Sequence, residues 1–197
     1  MSQPLLESQS HGLDCFPAAG PSSEPAGNSG IRSFVGLGSN LGDRLGLLRD
    51  AAGLLAAIPG IKVIRSASIY ESPPWGYLDQ PAFLNTVVEI FSNLEPLQLL
   101  LTLQMIESRL GRQSRFRWGP REIDLDLLLY GDCSVARRGF CLPHPAMFDR
   151  VFVLKPLAEL VPELTTPAGE PILRAIERLD PTHDQAILQA TSLMIAR

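Results

Sequence analysis

Two aspartates separated by a single residue are the sharpest chemical feature of the sequence. They lie in the run Arg121-Glu122-Ile123-Asp124-Leu125-Asp126-Leu127. Side chains alternate along a strand, so Asp124 and Asp126 project from one face while the apolar residues around them point into the core. Their carboxylates then lie about 7 Å apart, and two like charges that close favour a divalent cation, Mg²⁺ before Mn²⁺. A solvated strand face that carries two aspartates is the alternative.

Arginines are concentrated just before this pair and alternate with aromatic side chains. The segment contains Arg109, Arg112, Arg115, Arg117 and Arg121, with Phe116 and Trp118 among them. Arginines beside metal-binding carboxylates suit a polyphosphate, because the metal bridges phosphate oxygens and guanidinium groups neutralise the rest. An exposed basic loop, or a nucleic-acid patch with stacking aromatics, would explain the same residues.

The common nucleotide-binding motifs are missing from the sequence. There is no GxxxxGK[ST] run, and Gly36-Leu37-Gly38-Ser39-Asn40-Leu41 lacks the third glycine of GxGxxG. Any bound nucleotide must therefore be held by arginines and metal, and the two glycines favour a close approach of backbone to a neighbour or ligand.

A second group of residues suits a flat heterocycle. The loop Ser72-Pro73-Pro74-Trp75-Gly76, followed by Phe83 and Asn85, offers rigid backbone, aromatic surfaces and one amide. A well-packed turn with a core phenylalanine is the alternative. Gln104 and Glu107, three residues apart on a helix, could reach a base or ribose or form a polar flank. His144 lies between two prolines, which suits a structural role as well as a catalytic one.

Apolar periodicity predicts the elements that must position these residues. We expect strands over 33–38, 61–70, 83–91 and 123–130, and helices over 45–58 and 96–111. The order β-α-β-β-α-β is that of a ferredoxin-like α+β sandwich with helices on one sheet face. Further helices are expected over 151–160 and 171–179.

Composition narrows the class of protein. The 197 residues carry a net charge of −4, which argues against a general polyanion binder. No apolar run is long enough to span a membrane. Residues 1–30 are rich in Pro, Gly and Ser and are expected to form a disordered tail without targeting features. The odd set Cys15, Cys133 and Cys141 predicts neither a disulfide framework nor a zinc site, which favours the cytoplasm.

Taken together, four blocks of the sequence resemble the 6-hydroxymethyl-7,8-dihydropterin pyrophosphokinases of folate biosynthesis. The blocks are Gly38-Ser39-Asn40-Leu41-Gly42-Asp43-Arg44; residues 70–76 with 79–85; Gly111-Arg112 with Arg117-Trp118-Gly119-Pro120-Arg121-Glu122-Ile123-Asp124-Leu125-Asp126; and Leu142-Pro143-His144-Pro145 with Arg150-Val151-Phe152. The resemblance covers residues 31–165 as the catalytic core. Residues 166–197 are expected to form a helical extension packed on it.

The resemblance implies transfer of pyrophosphate from ATP to the pterin hydroxymethyl group, releasing AMP. Asp124 and Asp126 would ligate two Mg²⁺ ions and, with Arg112 and Arg121, form the catalytic set. The residues implied for the pterin are Gly38, Ser72, Pro73, Trp75, Phe83, Asn85, Trp118 and Phe152. Those implied for ATP are Gln104, Glu107, Arg112, Arg115, Arg117, Arg121, His144 and Arg150. A monomer that binds neither nucleic acid nor membrane is expected.

The sequence departs from the family pattern at two positions. Many members carry an arginine where this chain has Ser114, and Arg115 is expected to replace it. A second basic position falls on Gly139, beside Arg137 and Arg138. An RNA-binding ferredoxin-like module and a different nucleotidyl or phosphoryl transferase remain as alternatives.

Overall fold

A computed structural model describes residues 30–113, 115–180 and 193, together with the backbone of 16–17 and 186–189. Nearly all of the predicted N-terminal tail, and Ser114, therefore lie outside the described residues. The described chain forms a mixed α/β structure built around one large antiparallel sheet.

The large sheet contains six strands in the order β6-β2-β5-β4-β9, with β3 also pairing with β5. The strands are β2 (Ile31–Ser39), β3 (Ile61–Ser66), β4 (Ile69–Ser72), β5 (Phe83–Ser92), β6 (Asp124–Tyr130) and β9 (Ala186–Gln189). Helix α1 (Arg44–Ala56) follows β2, and helix α2 (Pro96–Arg109) precedes β6. This arrangement confirms the predicted ferredoxin-like α+β fold.

The predicted single strand over 61–70 is wrong, because the chain forms β3 and β4 with a break between them. The register of β3 on β5 shifts between Val63 and Arg65. At the break, the carbonyl of Ala67 accepts a hydrogen bond from the Thr86 hydroxyl (3.1 Å) instead of continuing the ladder. The alternation of apolar residues in the sequence does not reveal such a break, where a side-chain hydroxyl takes the place of a backbone amide as the hydrogen-bond donor.

Helices α1 and α2 cover one face of the sheet. Asp43 caps α1 by accepting a hydrogen bond from the Gly46 amide (3.0 Å), and α2 begins at Pro96 with a capping box between Glu95 and Gln98. Between these helices and the sheet lies the larger core, which includes the fully buried Leu103.

The other face of the sheet is covered over only part of its area. Helices α3 (Val151–Leu160) and α4 (Ile172–Leu179), both predicted, pack on a second core that includes Phe34 and Val87 of the sheet. The rest of this face lies beneath two loops, the β4–β5 loop (residues 73–82) and the α2–β6 loop (residues 110–123). The uncovered area becomes the floor of a cavity.

Two β features were not predicted. Strands β7 (Cys133–Arg137) and β8 (Phe140–Leu142) form a small sheet with β1 (Phe16–Pro17). Strand β9 pairs with β4 inside residues 166–197, where a helical extension was predicted, and most of residues 181–197 lie outside the described residues. The prediction that no disulfide forms is wrong at Cys133, which is disulfide-bonded, whereas Cys141 is free. Cys133 lies opposite Pro17 in the strand register. Within the described residues, no helix is long and apolar enough to cross a membrane.

We expect Leu103→Ala to lower the free energy of unfolding by about 2 to 5 kcal/mol, because it leaves a cavity in a closed core. Leu101, on the same helix, is 56% exposed, and Leu101→Ala should change stability by less than about 0.5 kcal/mol. Urea unfolding of both variants measures the difference. Equal costs would contradict the placement of α2 on the sheet.

Candidate active site

The floor of the cavity is formed by three neighbouring strands. In the register of the sheet, Gly38 of β2 lies between Asn85 of β5 and Asp124 of β6, and Gly36 lies beside Asp126. The two aspartates therefore share the face that α1 and α2 leave open, as their spacing predicted. Both are flanked by strand β2 residues that have no side chain.

The glycines of β2 are required by what lies above them. A Cβ atom at Gly38 would come within 3.0 Å of the Asn85 Oδ1 atom, and one at Gly36 would come within 3.4 Å of Leu128. A side chain at Gly38 would push against the Asn85 amide, and one at either position would fill the floor. The two glycines keep the middle of this face clear.

A cavity of about 490 Å³ opens above this floor and collects most of the predicted site residues. Its walls include Gly38, Ser72, Pro73, Trp75, Phe83, Asn85, Gln104, Glu107, Arg112, Trp118, Arg121, Asp124, Asp126, His144, Arg150 and Phe152. One chain thus brings together residues that are up to 114 positions apart, from Gly38 to Phe152. Their functional roles stay predictions.

Charged groups occupy one end of the cavity. Arg112 Nη1 lies 2.6 Å from one oxygen of Asp124, and Arg121 Nη1 lies 2.8 Å from the other. Asp126 has weaker support, with Arg150 Nη1 at 4.0 Å, and 35% of its side chain is open to the cavity. Its depth in the cavity, and then the charge of Asp124, raise the pKa of Asp126.

Glu107 connects helix α2 to the floor. Its side chain is 8% exposed, and its Oε1 atom accepts a hydrogen bond from the Leu125 amide (2.7 Å) and another from Arg112. Burial raises the pKa of Glu107, while these two donors favour the charged form. Glu107 thus fixes Arg112 beside Asp124 and is itself satisfied within the chain.

The other end of the cavity combines one amide with aromatic rings. Asn85 Nδ2 donates to the buried Ser72 hydroxyl (2.8 Å). Trp75 and Trp118 meet edge to face with ring centroids 5.6 Å apart. The guanidinium of Arg150 lies 5.0 Å from the Trp75 ring centre, and its buried Nε has no hydrogen-bond partner among the described residues. This end can enclose a flat, polar-edged ring.

His144 is held in a single orientation at the cavity wall. Its Nδ1 atom accepts a hydrogen bond from the Ala146 amide (3.3 Å). Burial, and then the charge of Arg150, lower the pKa of His144. Because Nδ1 accepts from the Ala146 amide, the proton of the neutral ring lies on Nε2, which makes that atom a hydrogen-bond donor.

Two predicted arginines do not line the main cavity. Arg115 Nη2 pairs with Glu122 (2.6 Å), and this hydrogen bond lowers the pKa of Glu122 to about 2. The Arg117 guanidinium stacks 4.3 Å from the Trp118 ring centre. Both line an adjoining cavity that shares Arg112 and other residues with the first.

The donor set fits Mg²⁺. Asp124 and Asp126 present carboxylate oxygens from one face, and the charge that raises the pKa of Asp126 is one that a cation would offset. In the described part of the chain, no group of three or more Asp, Glu, His or Cys side chains is placed to hold a metal ion. Two carboxylates suit Mg²⁺, which commonly completes its octahedron with water and substrate phosphates.

Eight residues of the cavity wall were not among the predicted site residues: Gly36, Leu37, Thr86, Val87, Leu100, Leu125, Leu128 and Val153. The strand period of two places Gly36 on the same face as Gly38, and the helix period places Leu100 one turn before Gln104. Gly36 was interpreted from the sequence only as a place where backbone approaches a neighbour or ligand, and a leucine side chain carries no chemistry that would single out Leu100.

Comparison with known proteins identifies the family. Residues 34–162 match the family model described as 7,8-dihydro-6-hydroxymethylpterin-pyrophosphokinase (HPPK). A 2-amino-4-hydroxy-6-hydroxymethyldihydropteridine pyrophosphokinase of Methylorubrum extorquens is 45% identical over 151 residues, covering 77% of this chain and 95% of the relative. The enzyme of that name from Bacillus subtilis is 47% identical over 128 residues, covering 65% of this chain and 77% of the relative.

Solved structures agree on the fold. The wild-type HPPK-DHPS of Plasmodium falciparum superposes with a TM-score of 0.61 at 15% identity and covers 81% of this chain. The chain spans 47% of that longer protein. On the family model and these relatives, the chain belongs to the 7,8-dihydro-6-hydroxymethylpterin-pyrophosphokinase family.

Proposed function

We propose that this chain transfers the terminal pyrophosphate of ATP to the hydroxymethyl group of 6-hydroxymethyl-7,8-dihydropterin, releasing AMP. Membership of the family makes it an ATP-dependent diphosphotransferase of folate biosynthesis. The observation that carries the proposal is the division of one cavity into an acidic and arginine-rich end and an aromatic and amide end. These two ends suit a metal-bound triphosphate and a pterin ring.

The pterin end is assigned from its shape and hydrogen-bonding groups. Asn85 and Ser72 supply amide and hydroxyl groups for the polar edge of the ring, and Trp75, Phe83, Trp118 and Phe152 supply flat apolar surfaces. Pro73 contributes backbone that cannot donate, and Gly38 leaves room beside Asn85. The ring would thereby present its hydroxymethyl group toward Asp124 and Asp126.

The phosphate end is assigned from its charges. Arg112 and Arg121 both form ion pairs with Asp124. When Asp124 turns to a cation, their guanidinium groups become available to phosphate oxygens, which they bind through paired N–H donors. Gln104, Glu107 and His144 would contact the nucleotide, and Arg115, Arg117 and Arg150 would contact its phosphates as the α2–β6 loop closes.

Catalysis would rest on positioning and charge neutralisation. The pterin hydroxyl oxygen attacks the β-phosphorus in line and releases its proton to bulk solvent, the bond from that phosphorus to the α-phosphate oxygen breaks, and AMP leaves with the electron pair. Arg112 and Arg121 stabilise the negative charge that develops on the transferred group. The aromatic side chains exclude water, which would otherwise accept the phosphoryl group.

We propose that Asp124 and Asp126 hold two Mg²⁺ ions. When bound, Mg²⁺ supplies Lewis-acid stabilisation of the phosphate oxygens. Asp126 is the stronger candidate for a metal ligand. Its side chain is 35% exposed and its carboxylate lies 4.0 Å from Arg150, so a bound cation would stabilise its negative charge. To bind a cation, Asp124 must give up its ion pairs with Arg112 and Arg121.

We further propose that the chain acts as a monomer that binds neither nucleic acid nor membrane. We propose the cytoplasm as its location because ATP is abundant there; the disulfide at Cys133 removes the support that the cysteine set gave to this location. Support for a monomer is that one chain supplies both ends of the cavity. The net charge of −4 opposes nucleic-acid binding.

The nucleotide product tests the proposed reaction. Protein mixed with Mg²⁺, ATP and the hydroxymethyl pterin should release AMP in equal amount to the pterin diphosphate, as measured by ion-exchange chromatography. Formation of ADP would indicate an ordinary kinase. Tight RNA binding without any reaction would favour the RNA-binding module.

Asp126→Ala should lower turnover by at least about 100-fold, because it removes a metal ligand and leaves Asp124 paired with arginines. Pterin affinity should stay close to that of the wild type. Asp50→Ala, at an exposed position of α1, is the matched control. Steady-state kinetics with wild-type turnover in Asp126→Ala would refute the metal assignment.

Asn85→Ala should weaken pterin binding by about tenfold or more, because it removes an amide and leaves the buried Ser72 hydroxyl without its partner. Affinity for a non-hydrolysable ATP analogue should not change. Asn93→Ala, at an exposed position just beyond the far end of β5, is the control. Calorimetric titration measures both ligands, and equal loss of the two affinities would contradict the assignment of Asn85 to the pterin.

A further inference from the structure

Asn40 belongs to the first family-like block of the sequence, yet it does not line the cavity. It directly follows β2 and is 2% exposed. A buried amide needs partners for its oxygen and its two N–H groups. The partners of Asn40 lie on both loops that cover the cavity.

The hydrogen bonds of Asn40 join these loops. Its Oδ1 atom accepts from the Arg121 amide of the α2–β6 loop (2.8 Å). Its Nδ2 group donates to Gln80 Oε1 (3.0 Å) and to the Pro81 carbonyl (3.0 Å), both in the β4–β5 loop. The backbone amide of Asn40 also donates to the Arg121 carbonyl (3.2 Å). The Arg121 amide can only donate and the Pro81 carbonyl can only accept, so these two partners determine the positions of the oxygen and nitrogen atoms of the Asn40 side chain.

Gln80 extends the connection back to the arginine-containing loop. While its Oε1 accepts from Asn40, its Nε2 group donates to the Trp118 carbonyl (2.9 Å) and to the Tyr77 carbonyl (2.6 Å). Trp118 has a left-handed backbone with φ of 63°, which non-glycine residues rarely adopt. Gln80 therefore holds the carbonyl of a strained residue whose ring lines the cavity.

The two loops also contact each other directly, beside the hydrogen bonds of Asn40 and Gln80. Gly76 packs so closely on Trp118 that a Cβ atom there would lie 3.0 Å from the indole. Tyr77 and Phe116 meet edge to face with centroids 5.1 Å apart. These contacts hold the β4–β5 loop, which borders the pterin side of the cavity, against the α2–β6 loop, which carries Arg121.

We propose that Asn40 and Gln80 are positioning residues that couple the pterin-binding loop to the arginine-containing loop, so that occupation of one substrate site strengthens binding at the other. The inference rests on the proposed function for the identity of the two ligands. Neither residue touches the reacting atoms. Their contribution is to make the order of one loop depend on the order of the other.

The test measures pterin affinity with and without a Mg²⁺-bound non-hydrolysable ATP analogue. In the wild type, the analogue should tighten pterin binding by about fivefold or more, a usual size for coupling between sites. Gln80→Ala should reduce that factor to near one and leave analogue affinity in the absence of pterin unchanged. Leu78→Ala, at a 73% exposed position of the same loop, should keep the wild-type factor.

A double-variant comparison separates coupling from general damage. Because Asn40 and Gln80 act through one another, Asn40→Ala with Gln80→Ala should lose no more coupling than Asn40→Ala alone. Thermal unfolding checks that each variant is folded, and Gln80→Ala, in a surface loop, serves where Asn40→Ala is unstable. Wild-type coupling in Gln80→Ala, or losses that add in the double variant, would overturn the proposal.

Amide hydrogen exchange gives a readout that does not depend on catalysis. Gln80→Ala should speed exchange over residues 115–121 in the free protein, whereas Leu78→Ala should not. Unchanged exchange would overturn the proposed link between the loops. A wild-type protein that releases no AMP but shows the exchange difference would contradict the proposed function and leave the link standing.

Discussion

Alternation of side chains across three paired strands is the constraint on which the site depends. Because β2 lies between β5 and β6, alternate residues of the three strands point to the same face of the sheet, and the cavity lies over part of that face. Glycines at 36 and 38 clear the centre of that face, so that the aspartates of β6 and Asn85 of β5 border an open floor. Helices α1 and α2 make this possible by burying the opposite face. The cavity has two different ends because two different loops border it. The β4–β5 loop contributes Trp75, and the α2–β6 loop contributes Arg112 and Arg121.

Charge balance is the second constraint, and it explains why the acidic pair can exist in a partly buried place. Asp124 forms short ion pairs with Arg112 and Arg121, whereas the ion pair of Asp126 with Arg150 is longer, at 4.0 Å. Arg112 and Arg121 are thus both held on one carboxylate. This arrangement keeps cationic groups inside the cavity that we propose for the phosphates.

The sequence predicted those parts of the site that obey a short period. Asp124 and Asp126 were placed on one face by the strand repeat, and Gln104 and Glu107 by the helix repeat. The positions of Arg115 and Arg117 could not be predicted, because they depend on Glu122 and Trp118 partners within an irregular loop. The break at Ala67 and the short strands β7 and β8 also leave no periodic trace, since side-chain hydrogen bonds and short pairings determine them.

We propose that one face of the sheet, cleared by Gly36 and Gly38, holds both the metal-bound phosphate and the pterin. Anomalous diffraction from crystals of the complex with Mn²⁺, a non-hydrolysable ATP analogue and the pterin tests it most directly. We expect anomalous peaks at the carboxylates of Asp124 and Asp126, with the pterin ring hydrogen-bonded beside Asn85 in the same cavity. Manganese bound away from both aspartates, or a pterin on another surface, would contradict the claim.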